Sequence, residues 1–355
     1  MDSHSSQFLR RLLDSPGPSS FEILPARVWR EEASGFAELV EADVSGNSFA
    51  ILNAAGRPRV MLAGHIDEIG LIVTYIDDDG YLSFDPIGGW DHQVLVGQRV
   101  ELLGKAGTVP GVIGKKAIHL MDKDERDKVS KADDLWIDIG VANRAEAESR
   151  VRVGDAGVLA SRVLEFPGGR LVSRSLDNRI GAFVVLEALR LLSRERPVAR
   201  VTAAATTREE ISYTGGGART GAVAVEPDVA VVVDVTHATD YPGVEKRKHG
   251  DVRLGGGPVI TRGAAINPAV FDLLVAAAEV EQVPYRLEAA PRDTHTDADN
   301  VFTALKGVAT GLVSVPLRYM HSPNEMAAIE DLDRAARLLA GFVRRLTPAT
   351  DLVLR

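Results

Sequence analysis

The sequence predicts an α/β protein whose main body is interrupted by a β-rich insert. Three observations carry that prediction. Short apolar runs bounded by Gly, Asn and Asp come early, strand and helix patterns alternate in the second half, and residues 70–166 hold only short strand-like runs. In chain order, AELVEADV (37–44) and PRVMLAGH (58–65) read as strands. The second is nearly all apolar, as a strand covered on both faces is, which makes it a central strand. LIVTYI, the DDDG turn at 77–80, YLSFDPI, QRVELL, GTVPGVIG, LWIDIG and GDAGVLA follow without a long amphipathic helix, which predicts a β-barrel or sandwich. The body resumes with RIGAFVVLEALRLLSRE (179–195), whose apolar positions recur at helical spacing. Strands follow at 201–207 and 228–235, a helix at 268–282, a strand at 311–317 and a closing helix at 330–346. Strand then helix, repeated, implies a mainly parallel sheet under helices. The predicted division is therefore 1–69 with 167–355 for the body and 70–166 for the insert.

Composition narrows the function. The chain of 355 residues has 50 acidic and 41 basic side chains, a formal charge of −9, eight His and no Cys. Without cysteine there is no disulfide framework, thiol nucleophile or iron–sulfur cluster, so a metal would have to sit on His, Asp and Glu. The net negative charge argues against a nucleic-acid partner. The Lys-rich stretch between Lys105 and Lys131 alternates with Asp and Glu and reads as a solvated loop. No stretch reaches the roughly 18 apolar residues of a membrane span, and the polar start lacks the apolar core of a signal peptide. A cytoplasmic location is expected.

In open α/β sheets, reactive groups gather beyond the carboxyl ends of strands. Here those ends are polar. VMLAG runs into His65-Ile66-Asp67-Glu68, AAATT into Arg208-Glu209-Glu210, AVVV into Asp234, and VSVPLRYM into His321, while Asp177 sits just ahead of the helix beginning near Arg179. Two His and several carboxylates without Cys form the ligand set of a hard or borderline divalent metal, such as two zinc or cobalt ions sharing a carboxylate. In the pair His65-x-Asp67 both side chains point the same way on an extended segment. Asp67 can there accept the spare ring N–H of a metal-bound His65, although an ordinary strand-to-loop transition also explains the spacing. Asp177, just ahead of a helix, reads first as an N-cap, while a ligand role or an N-cap would each explain Asp234. Adjacent Glu209 and Glu210 repel each other unless a cation or proton relieves them, so one can ligate while the other serves as base. His321 sits at a strand-to-loop change, where a structural role is the simpler reading. His237 and His295 lie near these clusters and are candidates for substrate contact. His4 falls in a terminus expected to fray, and His92, His119 and His249 fall in Gly- or Lys-rich loops. The tandem glycines at 88–89, 215–217 and 255–257 lack the context of a phosphate loop and read as turns or close backbone approaches.

The set GHIDEIG (64–70), SLDNRIGA (175–182), Glu209-Glu210, Asp234-Val235 and RYMHSPNE (318–325), in this order and at these separations, closely resembles the M42 family of dinuclear metallo-aminopeptidases, which includes glutamyl and tetrahedral aminopeptidases. GPVITRG (257–263) and the β-rich insert extend the likeness over nearly the whole chain. The resemblance implies a zinc-peptidase-like α/β sandwich with a β-barrel dimerisation domain, peptide substrates, and a homo-oligomer between a dimer and a twelve-subunit tetrahedral shell. It also implies two divalent metal ions, zinc first and cobalt as the alternative. His65, Asp177 and Asp234 would hold one, and Asp177, Glu210 and His321 the other. Asp177 would bridge them, Asp67 would orient His65, and Glu209 would be the general base.

The chain departs from the family around Thr294-His295-Thr296-Asp297, where Gly-Gly-Thr-Asp is usual, and in the segment 211–217. Both departures bear on the pocket walls, so the preferred N-terminal residue stays open. Two alternatives remain at this stage. A glycosidase would use Glu209 or Glu210 with a second carboxylate, against which the aromatic content of 5% counts. An inactive shell-forming scaffold would have to keep every ligand without using it.

Overall fold

A computed structural model describes residues 1–212 and 215–353 of the chain. Its main sheet has eight strands in the order Leu39–Ala42, Ser48–Leu52, Arg200–Thr206, Arg59–His65, Val229–His237, Ala309–Leu317, Val259–Gly263 and Arg286–Ala290. The four inner strands from Arg200–Thr206 to Ala309–Leu317 are mutually parallel. Antiparallel pairs lie toward both edges, because Leu39–Ala42 and Ser48–Leu52 form a hairpin and Val259–Gly263 runs against Ala309–Leu317. The four inner strands thus form a parallel block, and beyond the antiparallel step at Val259–Gly263 the last pair, Val259–Gly263 with Arg286–Ala290, is parallel again. Arg59–His65 is buried from Val60 onward, as a central strand must be.

The helix Leu176–Ser193 packs across the inner strands and against the closing helix Ile329–Arg345. The closing helix buries Leu332, Ala335, Leu339, Phe342 and Val343 at helical spacing, with Glu330 and Asp331 in its first turn and Arg344 and Arg345 in its last, each favourable to the helix dipole. Strand and helix meet closely at Gly64 and Gly181. A Cβ on Gly64 would lie 2.5 Å from the Gly181 carbonyl carbon, so only the small residue lets His65 approach the start of that helix.

The insert closes into a six-stranded barrel, in the order Gly70–Ile76, Leu82–Ile87, Trp136–Asp138, Gly107–Gly114, Arg99–Gly104 and Ala156–Leu159. It has its own apolar core, including Leu71, Val73, Phe84, Leu102 and Ile137. Leu164–Phe166 lies outside the barrel, in a three-stranded sheet with Arg170–Ser173 and Glu325–Ala328. The chain is therefore a zinc-peptidase-like α/β sandwich with an inserted β-barrel.

Several local expectations give way. The segment expected to fray is a helix, Ser3–Asp14, capped by the Asp2 side chain accepting the Ser5 N–H. Its Phe8, Leu9, Leu12 and Leu13 form a helical stripe buried in the body, each contributing roughly 1.5–3 kcal/mol. The Lys-rich run is largely exposed, as expected, but contains two helical turns, Ile118–Leu120 and Lys123–Arg126, the second closed by a capping box. His92, His119 and His249 lie in short helical turns rather than open loops. Among the described residues, no helix is long and apolar enough to cross a membrane.

Candidate metal centre

Because the four inner strands run the same way, their carboxyl ends open at one edge of the sheet. There the polar chain ends converge. The His65 Nε2 atom stands 3.3 Å from Asp177 Oδ1, 3.7 Å from Glu209 Oε2 and 3.8 Å from Asp234 Oδ1. The His321 Nε2 atom stands 3.5 Å from Asp177 Oδ2 and 3.1 Å from Glu210 Oε2. The two imidazoles, 256 positions apart in the chain, thus face opposite oxygens of one carboxylate. Asp177 does not act as a helix cap: the backbone at Asp177 and Asn178 is non-helical, so regular helix begins at Arg179, and the Asn178 side chain accepts the Gly181 N–H at 3.0 Å.

Each imidazole is held from behind. The Nδ1 atom of His321 meets the Gly89 carbonyl at 2.7 Å. A carbonyl only accepts, so Nδ1 carries the proton, and in the neutral ring Nε2 is left with a free lone pair facing the cluster. A Cβ on Gly89 would come within 3.2 Å of that ring nitrogen, so the insert supplies a small residue where the ring must rest. The His65 Nδ1 atom stands 3.4 Å from Asp67 Oδ1, a contact looser than a well-aligned hydrogen bond. Asp67 is fully buried and accepts from Ser19 Oγ at 2.6 Å and from the backbone N–H groups of Glu209 and Glu210 at 3.2 Å each. One carboxylate therefore faces the imidazole and holds the adjacent glutamates.

Buried carboxylates outnumber the imidazoles. Burial, then the charge of Asp177, pushes Glu210 up to about 7. Burial also pushes Glu209 and Asp234 well above the usual carboxylate range, with neighbouring acids adding to it. Burial opposes charge on His321, but Asp177 and Glu210 outweigh it and push the ring up to about 11. His65 is likewise raised, against its burial, by Glu209, Asp177 and Asp67. Such an excess of buried negative charge is relieved by bound cations.

The spacing matches that chemistry. Two donors each about 2.0–2.1 Å from a tetrahedral ion stand about 3.3–3.4 Å apart, and the imidazole-to-carboxylate separations here run from 3.1 to 3.8 Å. One donor atom each from His65, Asp177 and Glu210 fall within 4.8 Å of one another. The Glu210 Oε1 atom is buried without a partner in the protein. Nitrogen and oxygen donors without sulfur suit a hard or borderline divalent ion.

Two buried acids escaped the sequence reading. Glu325 accepts the backbone N–H of Asp177 at 3.0 Å and that of His321 at 2.9 Å, tying the two segments together. Its position four residues beyond His321 was the available signal. Asp297 accepts from Thr206 Oγ1 at 2.6 Å, leaving its Oδ1 atom buried and unpartnered, and burial pushes it up to about 6. Glu68, next to Asp67, is buried between Arg174 and Arg179. The cluster opens into a cavity of about 740 Å³, whose described lining contains His237 and His295 but no Trp, Tyr or Phe. Of the segment 211–217, Tyr213 and Thr214 lie outside the described residues.

An imidazole–carboxylate cluster of this geometry, at the carboxyl edge of an α/β sandwich and open to a cavity, belongs to the metallohydrolases. More particularly, the chain belongs to the M42 glutamyl aminopeptidase family, whose sequence model matches residues 46–338. Over 348 residues it is 33% identical to the lysyl aminopeptidase of Pyrococcus furiosus, covering 96% of this chain and 97% of that one. Its fold matches the TET aminopeptidase of a marine-sediment Thaumarchaeota archaeon with a TM-score of 0.91 and 34% identity, over 97% of this chain and 96% of that one. The Pyrococcus horikoshii TET1 peptidase, which can assemble into a tetrahedron or a large octahedral shell, matches with a TM-score of 0.85 and 27% identity, over 96% of this chain and all of that one. The chain is a metal-dependent aminopeptidase, a hydrolase. This assignment does not favour the glycosidase alternative. Physically, imidazoles interleave its carboxylates, and the described cavity wall offers no ring on which a sugar would stack.

Proposed function

We propose that His65, Asp177 and Asp234 hold one divalent metal ion and that Asp177, Glu210 and His321 hold a second, with zinc as the resident metal and cobalt able to replace it. The observation that carries this reading is Asp177, whose two carboxylate oxygens each face a different imidazole at 3.3 and 3.5 Å. When bound, such a pair supplies Lewis-acid polarisation of the scissile carbonyl and an acidified water.

The protein's own groups then divide the work. Glu209 lies beside His65 without lying close to His321, and its raised proton affinity suits a base that takes the water's proton and returns it to the leaving amine. Asp67 orients His65 and, through the backbone N–H groups, the two glutamates. Glu325 holds Asp177 and His321 at a fixed separation. Gly89 carries a contact from the barrel to the His321 ring, so the insert takes part in shaping the site. Peptides enter through the cavity, where the surrounding carboxylates favour a free α-amine and so confine cleavage to the first residue.

The barrel is the dimerisation domain in this reading, within an α/β catalytic body formed by the flanking segments, and the active form is a homo-oligomer. The shell-forming relative supports the assembly. The separate barrel core supports an independent folding unit. Metal analysis of the purified protein together with a panel of aminoacyl-anilides tests the proposal. Chelation abolishes hydrolysis and zinc or cobalt restores it. Glu209→Gln keeps both metals and loses roughly 10²–10⁴-fold in kcat. Protein that stays inert when loaded with metal would return the scaffold reading, and a Glu209→Gln enzyme of undiminished activity would move the base elsewhere.

A further inference from the structure

The cavity extends from the metal cluster across the face of the sheet's edge strands. Asp234 and Thr236 are two residues apart on Val229–His237 and so share a face, their Cα atoms roughly 6.6 Å apart. The Thr236 Oγ1 hydroxyl donates to Glu288 Oε1 at 3.2 Å. Glu288 pairs in parallel register with Thr261, so these two side chains also share a face. Thr261 is 2% exposed, lines the cavity and has a hydroxyl with no partner in the protein. The wall one strand-step beyond Asp234 is therefore hydroxyl-lined and carries one carboxylate.

The other charges around the cavity leave Glu288 as the group with capacity to spare. Asp299 is engaged by the backbone N–H groups of Thr294 and His295 and by the Thr294 hydroxyl. Asp293 faces the exposed His295 ring at 3.2 Å. Besides the Thr236 hydroxyl, the imidazoles of His237 and His249, both exposed, act on Glu288 as groups that can carry positive charge. Among the described residues, no Lys or Arg lines the cavity.

We propose that this wall is the pocket for the side chain of the N-terminal residue, and that Glu288 makes it select a basic residue, lysine or arginine. The proposal rests on the aminopeptidase reading above and adds the substrate class to it. A long cationic side chain, starting beside Asp234, reaches Glu288 and leaves its donors for Glu288 and Thr261. An acidic side chain would meet a carboxylate with no Lys or Arg to compensate it, and like-charge contacts of this kind strongly disfavour binding.

The test compares kcat/KM for lysyl-, arginyl-, leucyl- and glutamyl-p-nitroanilide with the metal-loaded enzyme, then with Glu288→Gln and Glu288→Lys. The expected order places lysyl and arginyl substrates above leucyl and glutamyl last. Glu288→Gln lowers the lysyl-to-leucyl ratio by roughly tenfold or more, chiefly through KM, and Glu288→Lys raises the glutamyl rate relative to the lysyl. A second readout does not depend on turnover or on a position 288 variant folding: calorimetry on metal-loaded Glu209→Gln, expected to bind free L-lysine more tightly than L-norleucine. An unchanged lysyl-to-leucyl ratio, as an α-amine role for Glu288 would give, overturns the proposal, as does a glutamyl preference or tighter norleucine binding. The aminopeptidase reading survives each of these. Failure to hydrolyse any aminoacyl substrate overturns both.

Discussion

Replacing Asp67 with Asn is the sharpest probe of how the centre is held. The two carboxylate oxygens have separate tasks. Oδ1 accepts from the Glu209 N–H and faces His65 Nδ1, while Oδ2 accepts from Ser19 Oγ and the Glu210 N–H. An amide offers one acceptor and one donor, so neither orientation satisfies the site. With its NH2 toward His65, the Glu209 N–H loses its acceptor and the amide favours the tautomer that carries the proton on Nε2, the atom facing the cluster. With its NH2 turned away, the Glu210 N–H and the Ser19 hydroxyl lose theirs. Either way at least one buried N–H is left unpaired, at about 1–3 kcal/mol. Outer partners of metal-bound imidazoles are typically worth 10–100-fold in affinity or activity. Asp67→Asn should therefore remain folded with a lowered melting temperature and lose 10–100-fold in metal affinity, measured by competition with a chromogenic chelator, with a parallel loss in kcat/KM. Affinity within twofold of the parent together with unchanged kcat/KM would refute the argument that Asp67 aligns His65.

Metal uptake should be coupled to protons and to stability. In the metal-free chain His321 is pushed up to about 11, so its ring is protonated at pH 7.5 and must release that proton to ligate. Calorimetry in buffers of different ionisation enthalpy should show net proton release, and its absence would contradict this protonation. The raised carboxyls favour the folded metal-free chain only while protonated. For Glu210, moved from 4.5 to about 7, that contribution is complete below pH 4.5 and lost as pH rises through 7. For Asp297, moved from 3.8 to about 6, it is lost as pH rises through 6. The rise in melting temperature on adding zinc should accordingly grow between pH 5 and 8, and a gain independent of pH would count against this account. Away from the metal donors, Glu68→Gln leaves Arg174 and Arg179 in the interior without their carboxylate. It should destabilise the fold by about 3–5 kcal/mol in denaturant titration, and a change below about 1 kcal/mol would show that the buried pair is dispensable.

Local pattern made much of this molecule legible. PRVMLAGH reads as a central strand because both its faces are apolar, and RIGAFVVLEALRLLSRE reads as a helix because its apolar residues repeat at helical spacing. Both features are fixed by neighbours in the chain. The N-terminal helix was misread because charged residues surround its apolar stripe, which gains its stability only against the body. The strands Val259–Gly263 and Arg286–Ala290, at one side of the sheet, have weak periodicity of their own and are defined by the partners they pair with.

The same distinction holds at the site. By itself the sequence determined which donors were available, since a chain without cysteine whose strands end in His, Asp and Glu can offer a metal only nitrogen and oxygen. It also ordered the motifs that place the chain in its family. Tertiary structure alone decided that Asp177 turns one oxygen to each imidazole, that Asp67 grips the backbone of both glutamates, that Glu325 joins segments nearly 150 positions apart, and that Glu288 stands on the cavity wall. Distances between groups remote in the chain are set by how the sheet and barrel pack, and no spacing along the sequence encodes them.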